Sequence, residues 1–297
     1  MDIRSLRYFV KVIQHNGFSR AAEQLFVTQP AISRSIKKLE DELGYTLLIR
    51  ENEGVRLTDE GRILLVHAKQ ILAQFNSMEQ ALKEKSGPLT GVLPIGLPPV
   101  IASTYFADII MAFSLRYPLV ELKIRELGTR KMRDAMLNGE VETAAVMLPF
   151  DDDRFDLHIF STDRLMLLVN EQHPLAKRGQ VKFVELVKEP FIFFSDDFLI
   201  NELVISACGI YGYKPIISGR SSHLDLVTAM VKAGVGISLL PESMWRTTSA
   251  EGLSIIPVIE PILAYDLALA TLKNQQQSRR AQAWHDLAVE MLKERAP

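Results

Sequence analysis

Between Gly17 and Gly44 the chain has room for only two short helices and a tight turn, and that spacing constrains its fold more than any other feature. Arg20-Ala21-Ala22-Glu23-Gln24-Leu25 is built from strong helix formers behind Ser19, a good N-cap. Phe26 and Val27 come next as a brief turn, Thr28 is the next N-cap candidate, and Pro30 falls in a first turn, where its missing N–H costs nothing. The helix that starts there runs to about Leu43, with Ile32, Ile36, Leu39 and Leu43 inward, and Gly44 stops it. An earlier helix, ended by Gly17, is marked by Leu6, Phe9, Val10 and Ile13 at i, i+3, i+4, i+7. Two short helices joined by about three residues fit a helix-turn-helix, and Ala21 and Ala22 are small enough for the pair to cross closely.

The outward positions of the second helix of that pair are Gln29, Ser33, Arg34, Lys37 and Lys38. Gln reads adenine bidentately and Arg reads guanine or a phosphate. Ser33 and Thr28 suit phosphate oxygens, and Ser19 and Arg20 stand at the entry of the preceding helix. An ordinary solvated helix face fits this stretch equally well. The next segment tips the balance. Leu47 to Arg50, a turn Glu51-Asn52-Glu53-Gly54, and Val55-Arg56-Leu57 read as a hairpin with a Gly-containing turn. Arg50 and Arg56 flank the turn, so the hairpin is a wing able to reach phosphates beside the recognition helix. Thr58 caps the next helix, with Asp59 and Glu60 complementing the helix dipole.

From Leu64 the apolar positions Leu64, Ala68, Ile71, Phe75, Met78 and Leu82 step by 4, 3, 4, 3, 4, an a/d heptad seam. A core helix lying on its own domain is the plain alternative, but Lys69, Gln70, Gln74, Asn76, Glu79 and Lys83 occupy the other faces, so a dimerising helix is the better reading. Lys85-Ser86-Gly87-Pro88 breaks it and makes a linker.

After Gly91 strands alternate with helices: strands at Val92–Leu97, Val120–Leu127 and Thr143–Leu148, and helices at Ile101–Tyr117 and Thr129–Leu137. A second series has strands at Leu165–Val169, Phe191–Phe194, Ile216–Ile217 and Val235–Leu240, with helices at Phe198–Cys208 and Leu224–Ala233. Asp266–Thr271 reads as a returning strand and Gln282–Leu292 as a final helix. Strands separated by helices predict a mostly parallel sheet. Two α/β halves, with the chain crossing between them near Ser161–Asp163 and Tyr265–Asp266, make a hinged clam with a cleft.

Composition excludes other classes. With 297 residues, 47% hydrophobic and 24% charged, the chain is an ordinary globular sequence of two or three domains. No apolar run reaches the ~18 residues of a membrane span. Arg4, Arg7 and Lys11 alternate with apolar residues, so no signal peptide is expected, and the one cysteine, Cys208, fits a reducing cytoplasm. The first 85 residues carry 13 Lys+Arg against 11 Asp+Glu, too weak a bias to argue for DNA without a motif.

The motif is present. Phe18-Ser19-Arg20-Ala21-Ala22, Leu25, Thr28-Gln29-Pro30-Ala31-Ile32-Ser33, Ile36-Lys37-Lys38-Leu39-Glu40, Leu43-Gly44, Leu47, Arg50 and Leu57-Thr58 closely resemble, without gaps, the N-terminal domain of LysR-type transcriptional regulators. Ile49, where the family usually has Phe, and Glu60, where it often has Ala, depart from the pattern as packing variations. Val231-Lys232-Ala233-Gly234-Val235-Gly236-Ile237 with Leu240-Pro241, and His173-Pro174-Leu175-Ala176, resemble the same family's effector domain. The resemblance implies an N-terminal all-α winged helix-turn-helix (1–58), a long linker and dimerisation helix (59–86), and a C-terminal α/β two-lobed domain resembling type 2 periplasmic binding proteins (87–297). Lobe I would span about 91–162 and 266–297, and lobe II about 163–265. It implies double-stranded DNA, a small-molecule effector and copies of the chain, commonly a homotetramer, as partners, and it extends to RNA polymerase. No cofactor and no membrane contact are expected.

An enzyme, or a transport-type binding protein with a fused DNA module, is the alternative. The chain has no Gly-x-Ser-x-Gly, His-Glu-x-x-His, Walker loop or Cys-x-x-Cys, and its histidines at 15, 67, 158, 173, 223 and 285 have no ligand spacing. Asp151-Asp152-Asp153 reads as a solvated loop and Cys208 as a small buried hydrophobe. No catalytic or metal site is predicted. Ligands of doubly wound sheets bind beyond the carboxyl ends of strands, at helix N-termini. That rule selects Pro98, Pro99 and Val100; Thr129 as an N-cap, beside Gly128; Leu148 and Phe150; Phe194 and Ser195; and Ser222 and His223. A pocket of this make-up favours a small anionic ligand with an apolar body.

Overall fold

The computed structural model describes residues 1–51, 54–83, 87–186, 188–245, 251–273 and 275–293, apart from the side chains of Ser77, Gln80, Ala81 and Lys83. The expected hairpin turn at Asn52–Glu53 and the linker break at Lys85–Ser86 lie outside the described residues. The chain divides into two compact units, Met1–Ser86 with Leu137–Glu140, and Gly87–Met136 with Val141–Pro297.

In the first unit, α1 (Ile3–Gln14) buries Leu6, Phe9 and Val10, and the Asp2 carboxylate caps it by accepting from the Ser5 N–H at 2.7 Å. α2 (Phe18–Leu25) begins at a Gly17 cap, so Ser19 is not the expected N-cap but an exposed residue of the first turn. Phe26 ends α2 in the left-handed region at φ 54°, and α3 (Gln29–Leu43) comes next with Thr28 at the N-cap position and Gly44 left-handed at its end. The Thr28 hydroxyl makes no capping bond; Pro30 in the first turn removes one of the donors it would have served. Ala21 and Ala22, 0% and 4% exposed, permit the close helix crossing. β1 (Leu48–Glu51) and β2 (Gly54–Leu57) pair antiparallel as the wing. Ile49 is exposed rather than a packing residue.

α4 (Asp59–Lys83) starts as predicted: the Thr58 hydroxyl accepts from the Gly61 N–H at 2.9 Å and donates to the Thr46 carbonyl at 2.8 Å. The heptad seam divides in two. Ala68 is fully buried and Leu64 half-buried in the helix-turn-helix core, so this part is a core helix after all. Ile71, Met78 and Leu82, by contrast, are exposed, and so are Ile63 and Val66.

The second unit opens with β3 (Gly91–Gly96), α5 (Pro99–Ile101), a π-helical turn at Ala102–Phe106 and α6 (Ala107–Arg116), which together replace one expected continuous helix. Then come β4 (Val120–Arg125), α7 (Thr129–Leu137), β5 (Thr143–Met147) and β6 (Phe155–Ser161). After these run β7 (Leu165–Asn170), β8 (Val181–Lys182), β9 (Pro190–Phe194), α8 (Ile200–Ile210), β10 (Ile216–Ser221) and α9 (Leu224–Lys232). The unit closes with β11 (Ser238–Pro241), α10 (Glu242–Trp245), β12 (Leu253–Ile259), β13 (Leu267–Leu272) and α11 (Arg279–Lys293).

One sheet has the order β4-β3-β5-β13-β6 and another β11-β7-β12-β8, with β9 and β10 paired beside them. The mostly parallel sheet is corrected to mixed sheets. β13 runs antiparallel to β5 and β6, and β7 is antiparallel to both β11 and β12. In each sheet the strand that runs against its neighbours is the one that enters from the other half: β7 just after the crossing at Asp163, and β13 just after the crossing at Tyr265. The two crossings run side by side: Tyr265 N–H donates to Asp163 O at 2.7 Å, and Leu165 N–H to Leu263 O at 2.8 Å. Trp284, fully buried on α11, meets Phe106 and Phe113 ring to ring and seals the face of the five-stranded sheet.

Candidate DNA interface and effector cavity

On α3 the residues turned away from the core are the predicted ones. Arg34 and Lys37 are exposed, Gln29 and Ser33 half-buried, and Thr28 and Pro30 exposed at the helix entrance. Arg20, on α2, is exposed as well. The wing arginines stand differently from one another. Arg50 donates from Nη2 to the Ser33 hydroxyl at 2.6 Å and lays its guanidinium over the Phe18 ring at 4.3 Å, so it joins wing to recognition helix. Arg56 is ion-paired to Glu51 across the hairpin at 2.6 Å. The wing is fixed by two more side chains. Glu40 of α3 accepts from the Leu47 and Leu48 N–H groups at 2.7 and 3.2 Å, and Asn16 accepts from the Val55 N–H at 3.1 Å. Gly54, at φ 139°, lies so near Asn16 that a Cβ there would fall 2.4 Å from its side-chain oxygen. This face therefore offers an amide, hydroxyls and cations held on one scaffold, a combination suited to base edges and phosphates together.

In the second unit a cavity of about 20 Å³, room for one water molecule, lies between the ends of β3, β5 and β9. Of the ten sequence-predicted residues, Pro98, Val100, Thr129 and Phe194 line it. Pro99, Leu148, Phe150, Ser195, Ser222 and His223 are not among the lining residues. Phe150 packs edge-on against Phe155, and His223, not Ser222, caps α9, with its N–H bonded to the Ser221 hydroxyl at 3.0 Å. Thr129 is in the predicted place with another role: its hydroxyl accepts from the Met147 N–H at 3.2 Å and ties α7 to β5 rather than capping. The Gly128 carbonyl receives the first helical bond, from Met132.

Gly128, Met147, Phe198, Pro241, Met244 and Tyr265 join the lining, and of these only Gly128 stands beside a residue that the strand-end rule selects. Pro241 stands in the motif that resembles the effector domain and Tyr265 at a crossing between the halves, yet nothing in the local pattern places them, or Met244, in a pocket; they arrive through pairing of distant strands. Tyr265 is 5% exposed. Burial pushes its phenol well above the ordinary tyrosine range, so it is a neutral donor.

Above the cavity the β9–α8 turn meets the start of α7. Asn201, 5% exposed, clamps the turn: its amide nitrogen donates to the carbonyls of Phe194 and Ser195, each at 2.9 Å, and its oxygen accepts from the Phe194 N–H at 3.0 Å. The turn presents Asp197, whose carboxylate accepts from the Gly128 N–H at 3.0 Å and faces the Lys131 ammonium at 3.5 Å. Arg130 pairs with Glu202 alongside. Among the described residues no group of three or more His, Cys, Asp or Glu could hold a metal ion, and no helix is long and apolar enough to cross a membrane.

A winged helix-turn-helix joined to a two-sheet α/β unit with an internal cavity defines a ligand-responsive DNA-binding regulator. Comparison agrees. Residues 3–62 match the bacterial regulatory helix-turn-helix protein, lysR family, and residues 86–293 match the LysR substrate binding domain. The chain belongs to the LysR family of transcriptional regulators. It is 36% identical to the uncharacterized regulator YwbI of Bacillus subtilis over 284 residues, covering 96% of this chain and 94% of that one. It is 30% identical to the dual regulator GltC of the same organism, over 98% and 97% of the two chains. A full-length OxyR variant from Pseudomonas aeruginosa has a similar structure, with a TM-score of 0.74 at 25% identity over 99% and 95% of the chains.

Proposed function

We propose that this regulator reads its operator with Gln29, Ser33, Arg34 and Lys37 of α3, assisted by Ser19, Arg20, Thr28, Pro30, Arg50 and Arg56. The observation that carries this is the bond from Arg50 to Ser33, which sets the wing against the recognition helix. The exposed Ile71, Met78 and Leu82 of α4 form the subunit contact that makes a dimer, and two dimers make a tetramer in the cytoplasm. Effector binding in the cavity around Thr129 and Phe194 changes the DNA complex without turnover. The ligand is a small metabolite with an apolar body and an anionic head: the wall is built of Pro98, Val100, Met147 and Phe194, and the helix N-terminus at Gly128 favours negative charge. Domain limits of 1–58, 59–86 and 87–297, with two lobes in the last, accord with this division of labour.

A thermal-shift screen of metabolites against the full chain tests the sensor half. A ligand at 100 times its Kd adds about 2.7 kcal/mol, and Thr129→Val should abolish that gain while leaving operator affinity intact. Ligands that stabilise Thr129→Val as well as wild type would move the site elsewhere, and a chemically altered ligand would favour the enzyme alternative.

A further inference from the structure

The mouth of the cavity already contains a carboxylate. Asp197 accepts the Gly128 N–H at 3.0 Å and faces Lys131 at 3.5 Å, which is how an external carboxylate would dock at the start of α7. The approach is close: a Cβ on Gly128 would lie 2.2 Å from the Asp197 carbonyl oxygen, so only glycine admits the turn. The turn is stiff, because Asn201 holds three of its backbone groups. Directly below lies the narrow cavity of about 20 Å³, with Tyr265, 5% exposed, on its wall. The arrangement thus has an occupied anion position above an apolar space too small for a metabolite.

We propose that Asp197 is a tethered stand-in for the anionic head of the effector. In the ligand-free protein its carboxylate fills the effector's anion position and latches the β9–α8 turn onto α7. An incoming carboxylate replaces it at the Gly128 N–H and Lys131, the turn lifts, and the apolar body enters toward Tyr265. This rests on the reading of the cavity as the effector site and adds to it a built-in competitor. The competitor sets a threshold on effector concentration and selects for anionic ligands over neutral ones of the same shape.

Chemical rescue tests it in the full-length protein, with acetate as the probe and acetamide as its neutral counterpart. Hydrogen exchange is measured in the peptide spanning 126–132, with the β3 peptide as the folding control. Asp197→Ala should raise exchange in 126–132 by about tenfold, as expected for losing one charge-assisted bond at a helix N-terminus, with β3 unchanged. Acetate should restore protection and acetamide should not. Asp197→Asn, which keeps the shape and an acceptor oxygen, should fall between and respond less to acetate. Unchanged exchange in both variants would overturn the latch, and a rise that neither probe restores would leave Asp197 a structural tie and overturn the anion position. Acetate rescue with no metabolite stabilising the chain would sustain the latch and count against the effector reading alone.

Discussion

Arg50→Ala separates the two tasks assigned to one side chain. In the free protein the guanidinium stacks on Phe18 at 4.3 Å and donates to Ser33 at 2.6 Å. An exposed cation–π contact is worth about 0.5–1 kcal/mol, and a solvent-exposed hydrogen bond adds little more. The loss is therefore about 1 kcal/mol, which lowers the melting temperature of a 60–100-residue domain by about 4–8 °C. On DNA the same cation is expected on a phosphate. Each phosphate contact contributes about 0.9 to the slope of log K against log salt, so a dimer loses about 1.8. Between roughly 50 and 200 mM salt the wild-type advantage then shrinks about twelvefold. Fluorescence anisotropy across a salt series, with melting recorded in parallel, reads both quantities. Arg50→Lys keeps the charge and loses the planar fork, so it should keep the slope and still lower the melting point. An unaltered slope in Arg50→Ala with lowered melting would show that Arg50 is only a strut between wing and helix, and would refute its assignment to the DNA backbone.

Gln29→Ala should cost about 1–3 kcal/mol on the operator and little on unrelated DNA; equal losses on both would take Gln29 out of base reading. Replacing Ile71 and Phe75 together by Glu should give monomers in sedimentation velocity and loss of tight operator binding, and a dimeric double variant would shift the subunit contact to the second unit. Burial holds His285 below its ordinary pKa near 6.5 and His158 adds to the effect, while Asp286 opposes it. The unfolded chain therefore takes up the proton first, and stability should fall as pH drops below about 6.5. His285→Gln should flatten that dependence, and a pH–stability curve identical to wild type would discard the assignment. Cys208 is buried and its thiol is pushed up by burial, so hydrogen peroxide should leave operator binding unchanged in wild type and in Cys208→Ser alike.

The first unit was legible because its signals are local. Pro30 and Gly44 limit α3, Thr58 caps α4, and the inward stripe of Ile32, Ile36 and Leu39 is buried as its spacing requires. The heptad seam was half legible for a physical reason. Leu64 and Ala68 satisfy an a/d pattern and a core-facing stripe equally well, and only the position of α1 and α3 decides which partner they have. In the second unit a rule about strand ends finds Thr129 and Phe194 but also picks Ser195 and Ser222, since hydroxyls near helix starts serve turns as readily as ligands. Asp197 does not stand out in the sequence because an acidic side chain acquires meaning only from what faces it. Here Gly128 and Lys131 face it, from a loop some seventy residues earlier in the chain. Glycine at 128 could have been read as a plain turn residue. Its neighbour across the cavity mouth shows instead that the missing Cβ is what lets two distant loops touch. On the proposed latch, the smallness of the cavity belongs to the latched state. A metabolite can enter only by changing the contact, which ties effector binding to movement of the β9–α8 turn, the step through which a ligand can favour one arrangement of the regulator over another.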